Sequence, residues 1–180
     1  MKKVFISSFI LAASIAFLGS CKDDEGSGNK SSFTLGGKEY KLTKAFVALD
    51  EIEVEDEDVY YGWDIAMTSD GLFESEGNLD GKGDAVHVEF WAVNDDSEDL
   101  PVGTFVYPEA GGNFIESVGV YVGFDFDIGE AEEEYEDIKS ATMTISKSGN
   151  TYTVSFSITL EDDSVVTGKY VGTVEYLVGD

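Results

Sequence analysis

Few side chains in this sequence suit nucleophilic or metal chemistry, because its 180 residues include one histidine, His87, and one cysteine, Cys21. A histidine-activated nucleophile or a histidine-rich zinc site would have to use His87. Alternation of apolar and polar residues places His87 beside Glu89 and Trp91, on the face opposite the apolar one. The simplest interpretation is a solvent-facing histidine on a strand. Because Gly-x-Ser-x-Gly and a phosphate-cradling glycine loop are both missing from the sequence, its motifs do not predict an enzyme.

Two carboxylates, Asp125 and Asp127, offer the remaining catalytic chemistry. On one face of a strand they would stand roughly 7 Å apart, at about 3.3 Å per residue. That separation suits an inverting glycoside hydrolase, in which one acid protonates the leaving oxygen and the other activates water. With 37 acidic residues in the chain, such pairs arise by coincidence. A carboxylate-pair enzyme acting on glycans is therefore our least favoured hypothesis.

Acidic residues also occur in clusters that could bind calcium, which prefers six to eight converging oxygens. The clusters lie at 50–58, 95–99, 130–137 and 161–163. The EF-hand spacing is absent, and loop acids also serve to keep a surface protein soluble. We expect no cofactor, with calcium as the alternative, and the sequence assigns no metal ligands.

Aromatic residues suggest a ligand, because sugars stack on flat rings that lie in polar surroundings. The chain has 9 tyrosines, 12 phenylalanines and 2 tryptophans. Candidate ligand-binding residues on predicted outer faces are Trp91, His87, Glu89, Tyr60 and Tyr121. The alternative is that a second layer of structure covers these rings, since aromatic residues pack well in any sheet.

The charge of the chain excludes several partners. Its formal net charge is −26, and it contains no arginine. A field of this sign repels nucleic acid and anionic membrane surfaces, and the usual bidentate clamp for phosphate or carboxylate is missing. Nucleic acid is therefore excluded as a partner, and acidic small molecules are disfavoured.

Alternation with period two dominates the sequence and predicts strands. It is clearest over 151–160, where apolar and hydroxyl residues alternate after a turn at 148–150, which predicts a hairpin and a C-terminal three-stranded meander. The one candidate for a helical turn is 130–138. We predict an all-β fold, an antiparallel meander of about nine strands that forms a β-sandwich or a flattened barrel. Glycines inside the predicted strands indicate sharp coiling or close approach at Gly62, Gly119, Gly123, Gly168 and Gly172.

The N-terminus has the layout of a secretory signal, with Lys2 and Lys3 followed by an apolar run of about 14 residues, too short for a spanning helix. Leu18-Gly19-Ser20-Cys21 resembles the lipobox of bacterial lipoproteins, which implies cleavage before Cys21 and lipidation of its thiol. Lys22-Asp23-Asp24-Glu25 resembles the signal of surface-exposed lipoproteins of the Bacteroidota. That resemblance implies a lipid anchor in the outer membrane, facing the cell exterior.

These patterns divide the chain into a cleaved signal peptide (1–20), a lipidated cysteine with a flexible acidic tether (21–32) and one β domain (33–180). The C-terminal half resembles small, mostly uncharacterised β-rich lipoproteins of the Bacteroidota, which implies a fold and no activity. The expected function is a non-catalytic surface lipoprotein module that binds an extracellular ligand or partner, with a glycan or another surface protein as candidates. The alternative is a structural, envelope-associated lipoprotein with no small-molecule ligand.

The anchor is tested by Cys21→Ser. Two or more acyl chains hold a protein on a bilayer stably, so the variant should lose both metabolic labelling with a fatty-acid probe and sedimentation with membranes. Ser27→Thr, in the tether after the lipobox, leaves the thiol and the lipobox in place and is the control. Continued fatty-acid labelling of Cys21→Ser would refute the anchor.

Overall fold

The computed structural model describes residues 30–55, 57–75, 78–94, 99–109 and 112–177. Within these ranges the protein is all-β, without a helix, so the prediction of an all-β fold is confirmed. None of the described segments forms a helix long and apolar enough to cross a membrane. The strands are β1 (Ser32–Leu35), β2 (Lys38–Lys41), β3 (Lys44–Glu55), β4 (Asp58–Thr68), β5 (Leu72–Ser75), β6 (Asn78–Val93), β7 (Gly103–Tyr107), β8 (Phe114–Asp125), β9 (Glu133–Tyr135), β10 (Ile138–Ser148), β11 (Thr151–Leu160), β12 (Val165–Gly172) and β13 (Glu175–Tyr176).

Eleven of these strands form one strongly curled sheet, a half-barrel, in the order β13-β3-β4-β6-β8-β7-β10-β11-β12-β1-β2. The two remaining strands extend it, β5 beside β6 and β9 beside β8. Most pairs are antiparallel, but β13 with β3 and β7 with β8 are parallel. The predicted nine-strand antiparallel meander, as a sandwich or flattened barrel, is therefore wrong in strand number and in its purely antiparallel pairing.

The hairpins that the turn residues predict are present. β10, β11 and β12 form the expected antiparallel meander, and a two-residue turn joins the paired Ser148 and Thr151, with Gly149 at φ 59°. At the opening hairpin, Gly36 and Gly37 have φ of 58° and 80° between β1 and β2. Positive φ at both turn positions matches the right-handed twist of the flanking strands.

One face of the curled sheet, here called the inner face, packs into a single apolar core. Side chains from β4, β6 and β8 meet there with those of the C-terminal meander, and the rings of Phe90 and Phe105 contact edge to face at 4.5 Å. The predicted alternation holds over β11, over β6 from Val86 to Ala92 and over β4 from Trp63 to Met67, where the apolar residues of the predicted face are buried. The opposite surface of the sheet is here called the outer face.

The alternation fails at the end of β8, where Val122 and Gly123 lie opposite the single residue Asp84. This is a β-bulge, and Gly123 adopts the left-handed conformation at φ 62°, which a glycine reaches without strain. Strict alternation along Val118, Val120 and Val122 predicts that Phe124 and Phe126 lie on the same face as these valines. That prediction is wrong, because the extra residue shifts Phe124 to the outer face.

Two predictions for the segment after β8 are also wrong. The strand ends at Asp125, and Asp127 lies in the following turn with its backbone N–H donating to the Asp125 carboxylate, so the two acids do not share a strand face. The possible helical turn at 130–138 is instead the short strand β9 and the beginning of β10.

The core is tested by Phe105→Ala. Phe105 is fully buried and joins β7 to the β6 side chain Phe90, so truncation should lower the free energy of unfolding by about 3–5 kcal/mol. Val165→Ala, at a half-exposed site, should change it by less than about 0.5 kcal/mol. Urea denaturation of both variants measures the difference, and equal midpoints would contradict the inner-face core.

Candidate binding cavity on the outer face

The candidate site lies on the outer face where β4, β6 and β8 run side by side. Antiparallel register brings His87 between Ala66 and Gly119, and Glu89 between Asp64 and Ser117. Residues directly opposite one another on adjacent strands have their side chains close together. His87 and Glu89 therefore lie on the outer face as predicted, and Asp64 joins them from the neighbouring strand.

An open cavity of about 550 Å³ lies over this part of the sheet. Two alanines from β4 and β6 and His87 form its floor. Its walls come from the part of β6 that pairs with β5, from the end of β8, from the segment around β9 and from the residue that follows β13. The described lining residues that contribute to these walls are Leu79, Tyr121, Phe124, Phe126, Glu134, Glu136 and Leu177. The cavity has the size and the largely apolar lining of a small-ligand site.

Three aromatic rings form one wall of the cavity. Tyr121 and Phe124 meet edge to face at 5.3 Å, and Phe124 and Phe126 do so at 4.6 Å. Phe126 is 39% exposed, which is high for a phenylalanine in a folded domain. The three rings come from positions 121, 124 and 126, on either side of the Gly123 bulge, so that bulge shapes the wall.

Tyr121 was predicted to face outward, and it does, lying across Gly119. A Cβ built at position 119 would stand 2.4 Å from the phenol oxygen and from a ring carbon of Tyr121. This confirms that Gly119 marks a close approach. The hydroxyl donates a 2.8 Å hydrogen bond to Glu136. Burial, and then that bond, raise the pKa of Tyr121, so the phenol is a neutral donor at ordinary pH.

A polar cluster at the edge of the cavity joins the imidazole to two carboxylates. Nε2 of His87 is 3.0 Å from Oδ1 of Asp64, and Ser117 donates a 2.6 Å hydrogen bond to Glu89. One ligand atom from each of Asp64, His87 and Glu89 lies within 4.8 Å of the others. The side chains of His87 and Asp64 are each about 30% exposed, at 31% and 29%, so solvent reaches the cluster.

Trp91 and Tyr60 lie on the same face but beyond the cavity. Trp91 is only 9% exposed. Its ring covers Gly62, where a Cβ would stand 3.2 Å from it, and its indole N–H donates to Glu116. Tyr60, half-buried, pairs with Val93 at the far end of β4. The structure therefore brings His87, Glu89 and Tyr121 together, whereas Trp91 is covered and Tyr60 lies apart.

The outer face is acidic throughout this region. Glu134 and Glu136 line the cavity, and Asp50, Glu51 and Glu116 line a smaller pocket on the other side of Glu89. Among the described residues that line either space, none is a lysine. Such a surface attracts cations and repels anions.

The acidic clusters considered for calcium do not converge in the part of the chain that the structure describes. There, the group that brings three ligand atoms together is Asp64, His87 and Glu89, which belongs to none of those clusters. Within the 161–163 cluster, Asp163 pairs with Lys139 and Asp162 accepts a bond from the Ser164 backbone. Asp56, residues 95–98 and Cys21 with its lipobox lie outside the described residues.

Sequence reasoning missed residues of the cavity and of the polar cluster in three different ways. Alternation alone could have placed Asp64 on the outer face, because it lies between the core residues Trp63 and Ile65. Phe124 and Phe126 were assigned to the wrong face, since period-two alternation does not reveal a bulge. Glu134 and Glu136 depend on β9, a three-residue strand that pairs with β8.

Comparison with protein-family models, with curated proteins and with solved structures finds no match to this chain.

The packing of Tyr121 over Gly119 is tested by a double-mutant cycle. Gly119→Ala should lower the free energy of unfolding by about 1–3 kcal/mol, because the new methyl overlaps the Tyr121 ring. In a Tyr121→Ala background the same change should cost less than about 0.5 kcal/mol. Chemical denaturation of the four proteins measures the coupling, and additive effects would contradict this placement of the ring.

Proposed function

We propose that the protein is a non-catalytic binding module, anchored by a lipid at Cys21 in the outer membrane and facing the cell exterior. It binds a small extracellular ligand, or the end of a larger one, in the outer-face cavity. The observation that carries the proposal is the cavity of about 550 Å³ with its three-ring aromatic wall.

The lining restricts the chemistry of the ligand. Phe124 and Phe126 offer apolar ring surface, while the Tyr121 hydroxyl, His87 and Glu134 supply hydrogen-bonding groups at the edge. A sugar ring has this combination of an apolar C–H face and peripheral hydroxyls. A neutral glycan is therefore the ligand class that we propose, and carboxylated or phosphorylated molecules are disfavoured by the surrounding acids.

For Asp125 and Asp127, the carboxylates considered as a catalytic pair, we propose no catalytic role, so the module binds its ligand without turnover. Asp125 accepts the Asp127 backbone N–H and stands 3.9 Å from the Lys82 ammonium. These contacts support a role for Asp125 in closing the turn after β8. The open cavity, with its partly exposed rings, likewise favours ligand binding over a purely structural envelope protein.

A panel of neutral oligosaccharides built from glucose, mannose, xylose or galactose tests the proposal, with a glucuronic-acid oligosaccharide as the charged counterpart. We expect at least one neutral member to raise the melting temperature, since a ligand that binds only the native state stabilises it by mass action. The acidic oligosaccharide should not do so. If no neutral member binds in calorimetry, the structural alternative replaces the proposal.

A variant that fills the cavity tests whether the ligand binds there or on another surface. Ala85 is 7% exposed on the cavity floor, so Ala85→Leu should occupy ligand space and weaken binding at least about tenfold. Thr142→Leu adds a similar side chain at an exposed position on β10 and should leave the affinity unchanged. Calorimetry with the best oligosaccharide measures both, and unchanged affinity in Ala85→Leu would move the binding site elsewhere.

A further inference from the structure

We propose that Asp64, His87 and Glu89 form a binding site for a divalent transition-metal ion of the zinc class. This inference goes beyond the proposed function, because the ion needs only these three side chains and not a ligand in the cavity. The observation that carries it is the convergence of one imidazole nitrogen and two carboxylate oxygens within 4.8 Å of one another.

The three donors lie on two neighbouring strands in the interior of the sheet, β4 and β6. His87 and Glu89 stand two residues apart on β6, so their side chains leave the sheet on the same side. Asp64 pairs directly with Glu89 across β4 and β6. Ligands on one tetrahedral zinc ion stand about 3.3 Å apart, given bonds of about 2.0–2.2 Å. His87 and Asp64 already approach that separation at 3.0 Å.

The donor set selects the type of ion. One imidazole with two carboxylates suits zinc and neighbouring transition ions, whereas calcium prefers six to eight oxygens. Two carboxylates and a neutral imidazole also balance a 2+ charge. With no lysine among the described lining residues of the adjoining pockets, the local field favours such an ion.

The surroundings suit a metal with open coordination positions. Ser117 donates to Glu89 Oε2 and orients that carboxylate, as partners of metal ligands commonly do. His87 lines both the large cavity and a smaller pocket beside Ser117, which leaves room for water. Three protein ligands with a remaining solvent position are the arrangement of an accessible zinc site rather than a closed structural one.

The single histidine provides a direct readout. In protein free of any polyhistidine tag, we expect Zn²⁺ to shift the one set of imidazole signals in an NMR spectrum, saturating at one equivalent. Co²⁺ should give visible absorption bands of a protein-bound ion.

Three variants and a matched control decide the assignment. His87→Ala, Asp64→Asn and Glu89→Gln should each weaken Zn²⁺ binding at least about tenfold in calorimetry, since even indirect partners of metal ligands contribute that much. Glu161→Gln removes one charge in the β11–β12 turn and should leave the affinity unchanged. Melting curves in EDTA establish whether each variant is folded. If another variant is unfolded, Glu89→Gln, which preserves the shape of the side chain, still tests the site.

Two results would overturn the site. The first is imidazole signals that do not move in excess Zn²⁺, which would leave the His87–Asp64 contact as an ordinary hydrogen bond. The second is Zn²⁺ affinity that is equal in the parent and in every folded variant, which would assign the ion to other acids. Neither result bears on oligosaccharide binding, so the two proposals fail separately.

Discussion

The pairing of β6 with β4 on one side and β8 on the other is the interaction on which the rest of the structure depends. β6 is the longest strand, at 16 residues, and it serves both surfaces of the sheet. Val86, Val88 and Phe90 enter the core, while His87 and Glu89 between them lie on the outer face, where both line the smaller pocket beside Ser117. A one-residue slip of β6 would exchange the two sets. Core packing therefore fixes which face the polar cluster occupies, because a one-residue shift of His87 along the sheet would expose apolar residues.

Irregularities in β8, which pairs with β6, and in β3, which pairs with β4, direct side chains in ways that regular pairing could not. Between their paired positions, β8 has extra residues at Glu116 and Gly123, and β3 has one at Asp50. Glu116 accepts from Trp91, Asp50 lines the pocket beside it, and the Gly123 bulge sends Phe124 outward. Bulges of this type re-aim side chains and are common beside functional sites. Their grouping around one patch of the outer face is an independent reason to place the site there.

Sequence patterns correctly predicted those parts of the structure that depend on residues close together in the chain. The strand 151–160, the turn at Gly149 and the outward direction of His87, Glu89 and Tyr121 all follow from two-residue alternation and turn chemistry. The parallel pairs β7–β8 and β13–β3 do not, because they depend on contacts distant in the sequence. Phe124 was assigned to the wrong face because a bulge leaves no signal in alternation. The walls formed by Leu79, Glu136 and Leu177 were missed because each belongs to a short segment whose position depends on the main sheet.

The fold places part of the negative charge of the chain at specific positions on the outer face. Acids distributed over loops affect solubility, but Asp64 and Glu89 on the outer face bring carboxylate oxygens within 4.8 Å of a nitrogen of His87. Glu136 accepts the Tyr121 hydroxyl, and Asp64 contacts His87. Because no described lining residue supplies a compensating lysine, an anionic ligand would add to an existing excess of negative charge. A neutral ligand would contact the aromatic wall without that cost, and a divalent cation would reduce the excess charge, so the field is compatible with the first proposed occupant of this face and favours the second.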